Sequence, residues 1–194
     1  MKGFVHPVHP IRLVPLAHLL PFVLLVLLLA NGLVTPALAA LPEARDMDDA
    51  QIVDAMITVN GIAIHAGKLA QSRSTSEKIK AHAQQVVARH ADVSQSAAEL
   101  AAKLNLTPRD NSLSRELRAD GAKDIARLET LRGEEFDKAF IDQDVVLHQN
   151  TLDMIDDRLM PKVRNEELKA LLFNLFAPFS EHLEHAQQIQ GTLK

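Results

Sequence analysis

The feature that most constrains this chain is a seam from Ile79 to Leu104, small or apolar at every position but His90. Ile79, Ala83, Val86, His90, Val93, Ala97, Leu100 and Leu104 recur in alternating steps of four and three. That spacing keeps one face of an α-helix turned towards a partner helix, as in coiled-coil-like bundle packing. A strand cannot use it, because its faces alternate every two residues. Three further segments repeat the pattern. Ile52, Met56, Val59, Ala63, Ala66 and Ala70 mark a helix from Asp48 to about Ser72. Phe136, Phe140, Asp144, His148, Leu152, Ile155 and Leu159 mark one that begins at Glu134-Glu135 and ends at Pro161. Leu168, Leu172, Leu175, Phe179, His182, Ala186, Ile189 and Leu193 mark the last, with Pro178 as an interruption that kinks it.

Boundary signals divide the rest. Ser74 and Glu77 have capping-box spacing at the head of the second helix, and Asn165 precedes Glu166-Glu167 at the head of the fourth. Asn105–Asn111 is a loop broken by Pro108, and a shorter helix from about Ser114 to Leu131 stops at Gly133. Tight turns join helices one to two and three to four, while a long connection carrying the short helix joins the two pairs. The expected fold is therefore all-α: a ferritin-like four-helix bundle with a long crossover between its second and third helices.

The first 39 residues read as an address. Lys2 and Arg12 precede the apolar run Phe22–Ala30, and Ala37-Leu38-Ala39 has the small-x-small spacing of a signal-peptidase site. Residues 1–39 are expected to be a signal peptide, 40–47 a flexible lead-in and 48–194 the bundle domain. The alternative is a retained anchor from Leu13 to Val34, which Pro15, His18 and Pro21 disfavour. The expected location is the periplasm or cell envelope. Losing Lys2 and Arg12 takes the formal net charge from −4 to −6 in the mature domain. An acidic balance argues against nucleic acid. The chain has no cysteine, which excludes disulfides, thiolate metal sites, iron–sulfur clusters and covalent haem attachment. It lacks a phosphate loop, which argues against nucleotides, and it lacks a Gly-x-Ser-x-Gly elbow. A metal ion and peripheral association with the envelope are the partners that remain; the oligomeric state is not specified.

Six histidines lie beyond the leader: His65, His82, His90, His148, His182 and His185. His90, His148 and His182 occupy inward seam positions on three different helices. Asp144 lies one turn before His148, and His185 one turn after His182. Inward side chains from facing helices are how bundles build metal sites. Imidazole with carboxylate suits zinc, copper, nickel or iron. The candidate ligands are thus His90, His148, His182, Asp144 and His185, with His65 weaker and His82 weaker still. The other reading is that Asp144 and His148 pair with each other and the histidines set packing register without a cofactor. The paired Glu-x-x-His motif of di-iron bundles is absent, which disfavours oxygen-activating enzyme chemistry.

The carrying segments Val59-Asn60, Ala66–Ala70, Ile79–His90, Phe136–Phe140, Asp144–His148, Asn165–Lys169 and His182–Ala186 also support a resemblance. From about Gln51 to the C-terminus the chain resembles the ferritin-like family of exported bacterial proteins called domain of unknown function four-one-four-two. The resemblance implies inward histidines at His90, His148 and His182, and supplies no activity. Two positions depart from the family pattern. Arg89 stands where an acid is usual, and Ala63 stands where many members carry a Glu. By the resemblance, a ligand from the first helix is lost at Ala63.

The function expected is a metal-binding module of the cell envelope. The alternative is a structural or stress-related envelope protein without a cofactor.

Overall fold

The computed structural model describes residues 47–193, and among these there are helices and no strands. The expected signal peptide and all of the lead-in but Met47 lie outside the described residues. The helices are α1 (Asp49–Arg73), α2 (Glu77–Lys103), α3 (Ser112–Thr130), α4 (Gly133–Met154), α5 (Glu166–Asn174) and α6 (Phe176–Gln190), and α4 runs on into a π-helical turn, Ile155–Leu159.

Short-range chemistry sets these boundaries. The Asp48 carboxylate accepts the Gln51 N–H at 3.1 Å, and the Gln51 side chain accepts the Asp48 N–H at 3.2 Å, which closes a capping box before α1. Ser76, not Ser74, caps α2. Ser74 is taken up by the turn itself, where its hydroxyl accepts the Ser76 N–H at 3.1 Å. At the end of α2, Asn105 adopts φ +54°. The N–H of Leu106 reaches the Ala101 carbonyl at 2.8 Å and that of Asn105 reaches Ala102 at 3.2 Å, a Schellman closure. Asn111 and Ser114 form the capping box of α3, so that helix begins at Ser112, two residues before the expected start.

The third seam segment does not stay α-helical to Pro161. Met160 N–H bonds to Ile155 O at 2.9 Å, the wider π spacing, and this turn keeps both Ile155 and Leu159 fully buried. The fourth is interrupted as expected, at the single residue Leu175, three positions before Pro178. Proline has no N–H for the Asn174 carbonyl and its ring collides with that carbonyl, so α5 stops at Asn174 and α6 restarts at Phe176.

α1 packs against α2, α3 and α4, and α6 packs along α4. α1 is long and apolar enough to cross a membrane by length and composition alone, yet over half of its most apolar window is buried inside the protein. A helix hemmed in by three neighbours has little room for polar residues. Close approach is set by Gly67 and Gly121. A Cβ on Gly67 would lie 2.8 Å from Val87 on α2, and one on Gly121 would lie 2.7 Å from Ile62 on α1. The Asp49 carboxylate ties the start of α5 to α1 by accepting the N–H groups of Arg164 and Asn165 at 2.9 and 3.0 Å.

The core falls into two apolar clusters. One contains Ile52, Met56 and Val59 of α1 with Leu113, Ile155, Leu159, Leu168, Leu172 and Phe179. The other contains Ala63, Ala66 and Ala70 of α1 with Ile79, Ala83, Val86, Phe136, Phe140, Ile141 and Ile189. Each fully buried large aliphatic or aromatic side chain contributes about 1.5–3 kcal/mol. Between the clusters, on α1, α4 and α6 alike, the chain is polar: Asn60, then Asp144 and His148, then His182, all buried.

Candidate metal centre

The polar layer is built around Asp144. Its Oδ2 accepts from Nε2 of His82 on α2 at 2.7 Å and from Nε2 of His182 on α6 at 3.2 Å. Its Oδ1 lies 3.2 Å from Nδ1 of His148, one turn further along α4. His148 Nδ1 also donates to the backbone carbonyl of Asp144 at 2.9 Å. His148 Nε2 faces His90 Nε2 at 3.1 Å, His90 Nδ1 faces Asn60 Oδ1 at 2.7 Å, and Asn60 Nδ2 donates to the Met56 carbonyl at 2.7 Å. Asn60, His82, His90, Asp144, His148 and His182 are all buried.

Donor and acceptor accounting fixes the protons along this chain. Met56 O can only accept, so the Asn60 amide must turn its Nδ2 towards it and its Oδ1 towards His90. His90 Nδ1 therefore carries a hydrogen. Burial, reinforced by the neighbouring charge of His148, lowers the His90 pKa to about 3, so the ring is neutral and its Nε2 is a bare acceptor. His148 Nε2 must donate to it. His148 Nδ1 faces two oxygens and must donate as well. With hydrogens on both nitrogens, His148 is an imidazolium. Burial opposes that charge, but the hydrogen bond and charge of Asp144 outweigh burial and raise the His148 pKa. For Asp144, burial alone would push the pKa up; the hydrogen bonds from His148, His182 and His82 win and hold it well below the usual carboxylate range. Burial lowers His182, partly offset by its bond to Asp144, so it is neutral with Nε2–H on the carboxylate.

His82 Nε2 also faces the Asp144 carboxylate, so it too carries a hydrogen. Its Nδ1 is buried with no partner. The rings stack around the carboxylate: His148 on His182 with centroids 4.3 Å apart, and His82 on His182 at 4.8 Å. Phe179 closes the layer against His90 and His148, with centroids at 5.4 and 5.7 Å.

Of the residues expected from the sequence, Asp144, His148 and His182 meet directly. His90 is one step removed and touches His148 and Asn60, not the carboxylate. His185 is half-buried, and its ring lies edge-on to His82 with centroids 5.2 Å apart and no bond to Asp144. Ala63, read from the resemblance as a lost ligand, sits in the second apolar cluster, while His65 and Arg89 are exposed. Two members of the layer were ranked last or overlooked in the sequence. His82 lies three residues after Ile79 and four before Val86, and Asn60 four after Met56 and three before Ala63, spacings that place both on the buried faces.

The ligand atoms of His82, Asp144 and His182 lie within 4.8 Å of one another. Two imidazoles and a carboxylate form a donor set that fits zinc or iron(II). A groove of about 540 Å³ between α3 and α4 and one of about 490 Å³ between α1 and α3 contain none of the six buried polar residues, so neither brings a substrate-sized cavity to the cluster.

The sequence profile of the family described as "Domain of unknown function (DUF4142)" matches residues 34–189. The chain belongs to this family. Every residue of the polar layer, and His185 beside it, falls inside the DUF4142 match. Comparison with curated proteins and with solved structures returns no match.

Proposed function

We propose that this DUF4142 protein is an exported, ferritin-like bundle of the cell envelope that holds one divalent transition metal ion through His82, Asp144 and His182. The observation that carries the reading is one buried carboxylate oxygen, Asp144 Oδ2, flanked by imidazole nitrogens at 2.7 and 3.2 Å from two other helices. Three helices thus present neutral or anionic donors to one point, which is the bundle route to a metal site. The ferritin-like arrangement is supported by the two pairs α1/α2 and α4/α6 and by α3 lying in the long connection between them. Export is supported by Lys2, Phe22–Ala30 and Ala37-Leu38-Ala39.

One observation favours a second reading, a structural network without a cofactor. The bonds from Met56 through Asn60, His90 and His148 to Asp144 are complete with protons alone. Elemental analysis of protein purified from its own compartment, with thermal unfolding in zinc, copper, nickel and iron against a chelated control, separates the two. Close to one metal per chain, and a raised midpoint with that metal, is expected. No bound metal and no shift with any of the four leaves the structural network.

A further inference from the structure

We infer that His185 is a positioning residue for this centre, accepting the Nδ1 proton of His82 so that His82 can face a metal through Nε2. The inference rests on the metal reading above. His82 is 1% exposed, its Nε2 is turned to Asp144, and its Nδ1 is the one imidazole nitrogen among the described residues that is both buried and unpartnered. In the proton-filled network this costs little beyond an idle lone pair. Ligation through Nε2 changes the demand. The hydrogen then sits on Nδ1, and a buried N–H needs an acceptor.

The rings around His82 leave one supplier. Phe140, edge-on at 6.2 Å between centroids, has no acceptor atom. His182 is stacked at an interplanar angle of 30°, so it offers a face rather than an in-plane lone pair. His185 meets His82 at 66° and 5.2 Å, close enough for a rotation of a half-exposed side chain to bring a ring nitrogen to Nδ1. His182 and His185 are one turn apart on α6, so the same helix would supply a ligand and the residue that aims another ligand. The protons balance: His82 carries one hydrogen before and one after, moved from Nε2 to Nδ1. Metal-ligating histidines almost always give their second N–H to an acceptor, most often a carboxylate, carbonyl or water, and removing that partner weakens binding by about 10–100-fold.

The test uses the full mature chain, zinc titration calorimetry and three proteins: wild type, His185→Phe and His185→Gln. Phenylalanine keeps the ring and removes the acceptor; glutamine keeps an acceptor oxygen. His185→Phe is expected to bind zinc about 10–100-fold more weakly at unchanged stoichiometry, with His185→Gln recovering most of the loss. In the zinc form, ¹⁵N spectra should report His82 Nδ1 as protonated. Wild-type affinity in His185→Phe overturns the inference and leaves the centre standing. Loss of stoichiometric binding in both variants overturns it by making His185 a ligand. A wild-type protein that takes up no zinc, copper, nickel or iron overturns the metal reading and this inference with it.

Discussion

Asp144 carries two arms of buried imidazoles, and they differ in how fully the protein satisfies them. The arm through His148, His90 and Asn60 ends on the Met56 carbonyl, and every polar atom on it has a partner. The arm through His82 and His182 stops at the carboxylate and leaves His82 Nδ1 without one. A closed chain of hydrogen bonds specifies geometry, because each member can sit in only one orientation. An open one leaves a nitrogen lone pair uncommitted. On the metal reading proposed above, the closed arm holds Asp144 charged and oriented, and the open arm supplies the ligands.

The largest expected effect falls on both arms together. Asp144→Asn removes the negative charge that His148 is paired with and replaces acceptors with an amide that cannot receive all three imidazole hydrogens. Breaking a buried charge pair from one side costs about 3–5 kcal/mol. Urea unfolding of the metal-free variant should show a loss of that order, with an unchanged dependence on urea. A loss below about 1 kcal/mol, no more than an exposed ion pair contributes, would mean that Asp144 and His148 are not a buried charged pair.

The next effect separates the arms. A metal that binds only the folded protein stabilises it by about 2.7 kcal/mol at a hundredfold excess over its dissociation constant. His82→Ala and His182→Ala should abolish that increment. His90→Ala should keep most of it, although it lowers the stability of the metal-free protein. Thermal unfolding with and without zinc checks this, and an increment that vanishes with His90 but survives loss of His82 reverses the assignment.

That ordering departs from the one the seam suggested, and the reason is geometric. A two-per-heptad seam locates His90, Asp144, His148 and His182, and all four are buried where the periodicity put them. It is narrower than the faces α1 and α2 bury. Asn60 and His82 sit at the edges of those faces, where a helix enclosed by several neighbours still hides its side chains. Facing inward also does not settle which residues share a height along the bundle. His90 reaches the layer through His148, while His82, two turns earlier on α2, reaches Asp144 directly. The helix ends were legible where one residue does one job, as with Asn165. They were not legible where two serines compete for one cap.

A smaller effect tests the closed arm alone. Asn60→Ala leaves the His90 Nδ1–H buried without an acceptor, which costs about 1–3 kcal/mol. The zinc increment should persist, because Asn60 lies at the far end from His82. Loss of the increment in this variant, with the fold intact by circular dichroism, would join the arms into one functional unit.

The smallest effect per step is the pH dependence of the chelated protein, and its two limbs belong to different arms. Burial depresses the His90 pKa to about 3 from the ordinary imidazole value of 6.5. Below pH 6.5 its unfolded form takes a proton that the folded form refuses, so stability falls as pH drops, at about 1.4 kcal/mol per pH unit for one fully linked proton. His182 is also depressed and adds to this limb from the open arm. Asp144 extends the loss further down: its stabilisation is present above its unfolded value of about 4 and disappears as pH falls towards its lowered folded value. His148 has the opposite sign. Its folded pKa is raised, so its contribution is full below 6.5 and is lost as pH rises through the folded value. Metal-free stability should therefore peak near neutral pH and fall on both sides. His182→Ala should make the acid limb shallower without moving the alkaline limb, and Asn60→Ala should leave the His182 share of the acid limb in place. An alkaline limb that is absent, measured by urea unfolding from pH 5 to 9, would show that His148 is neutral. The hydrogen bond between His148 and His90 would then lack its donor, and the closed arm would not be closed.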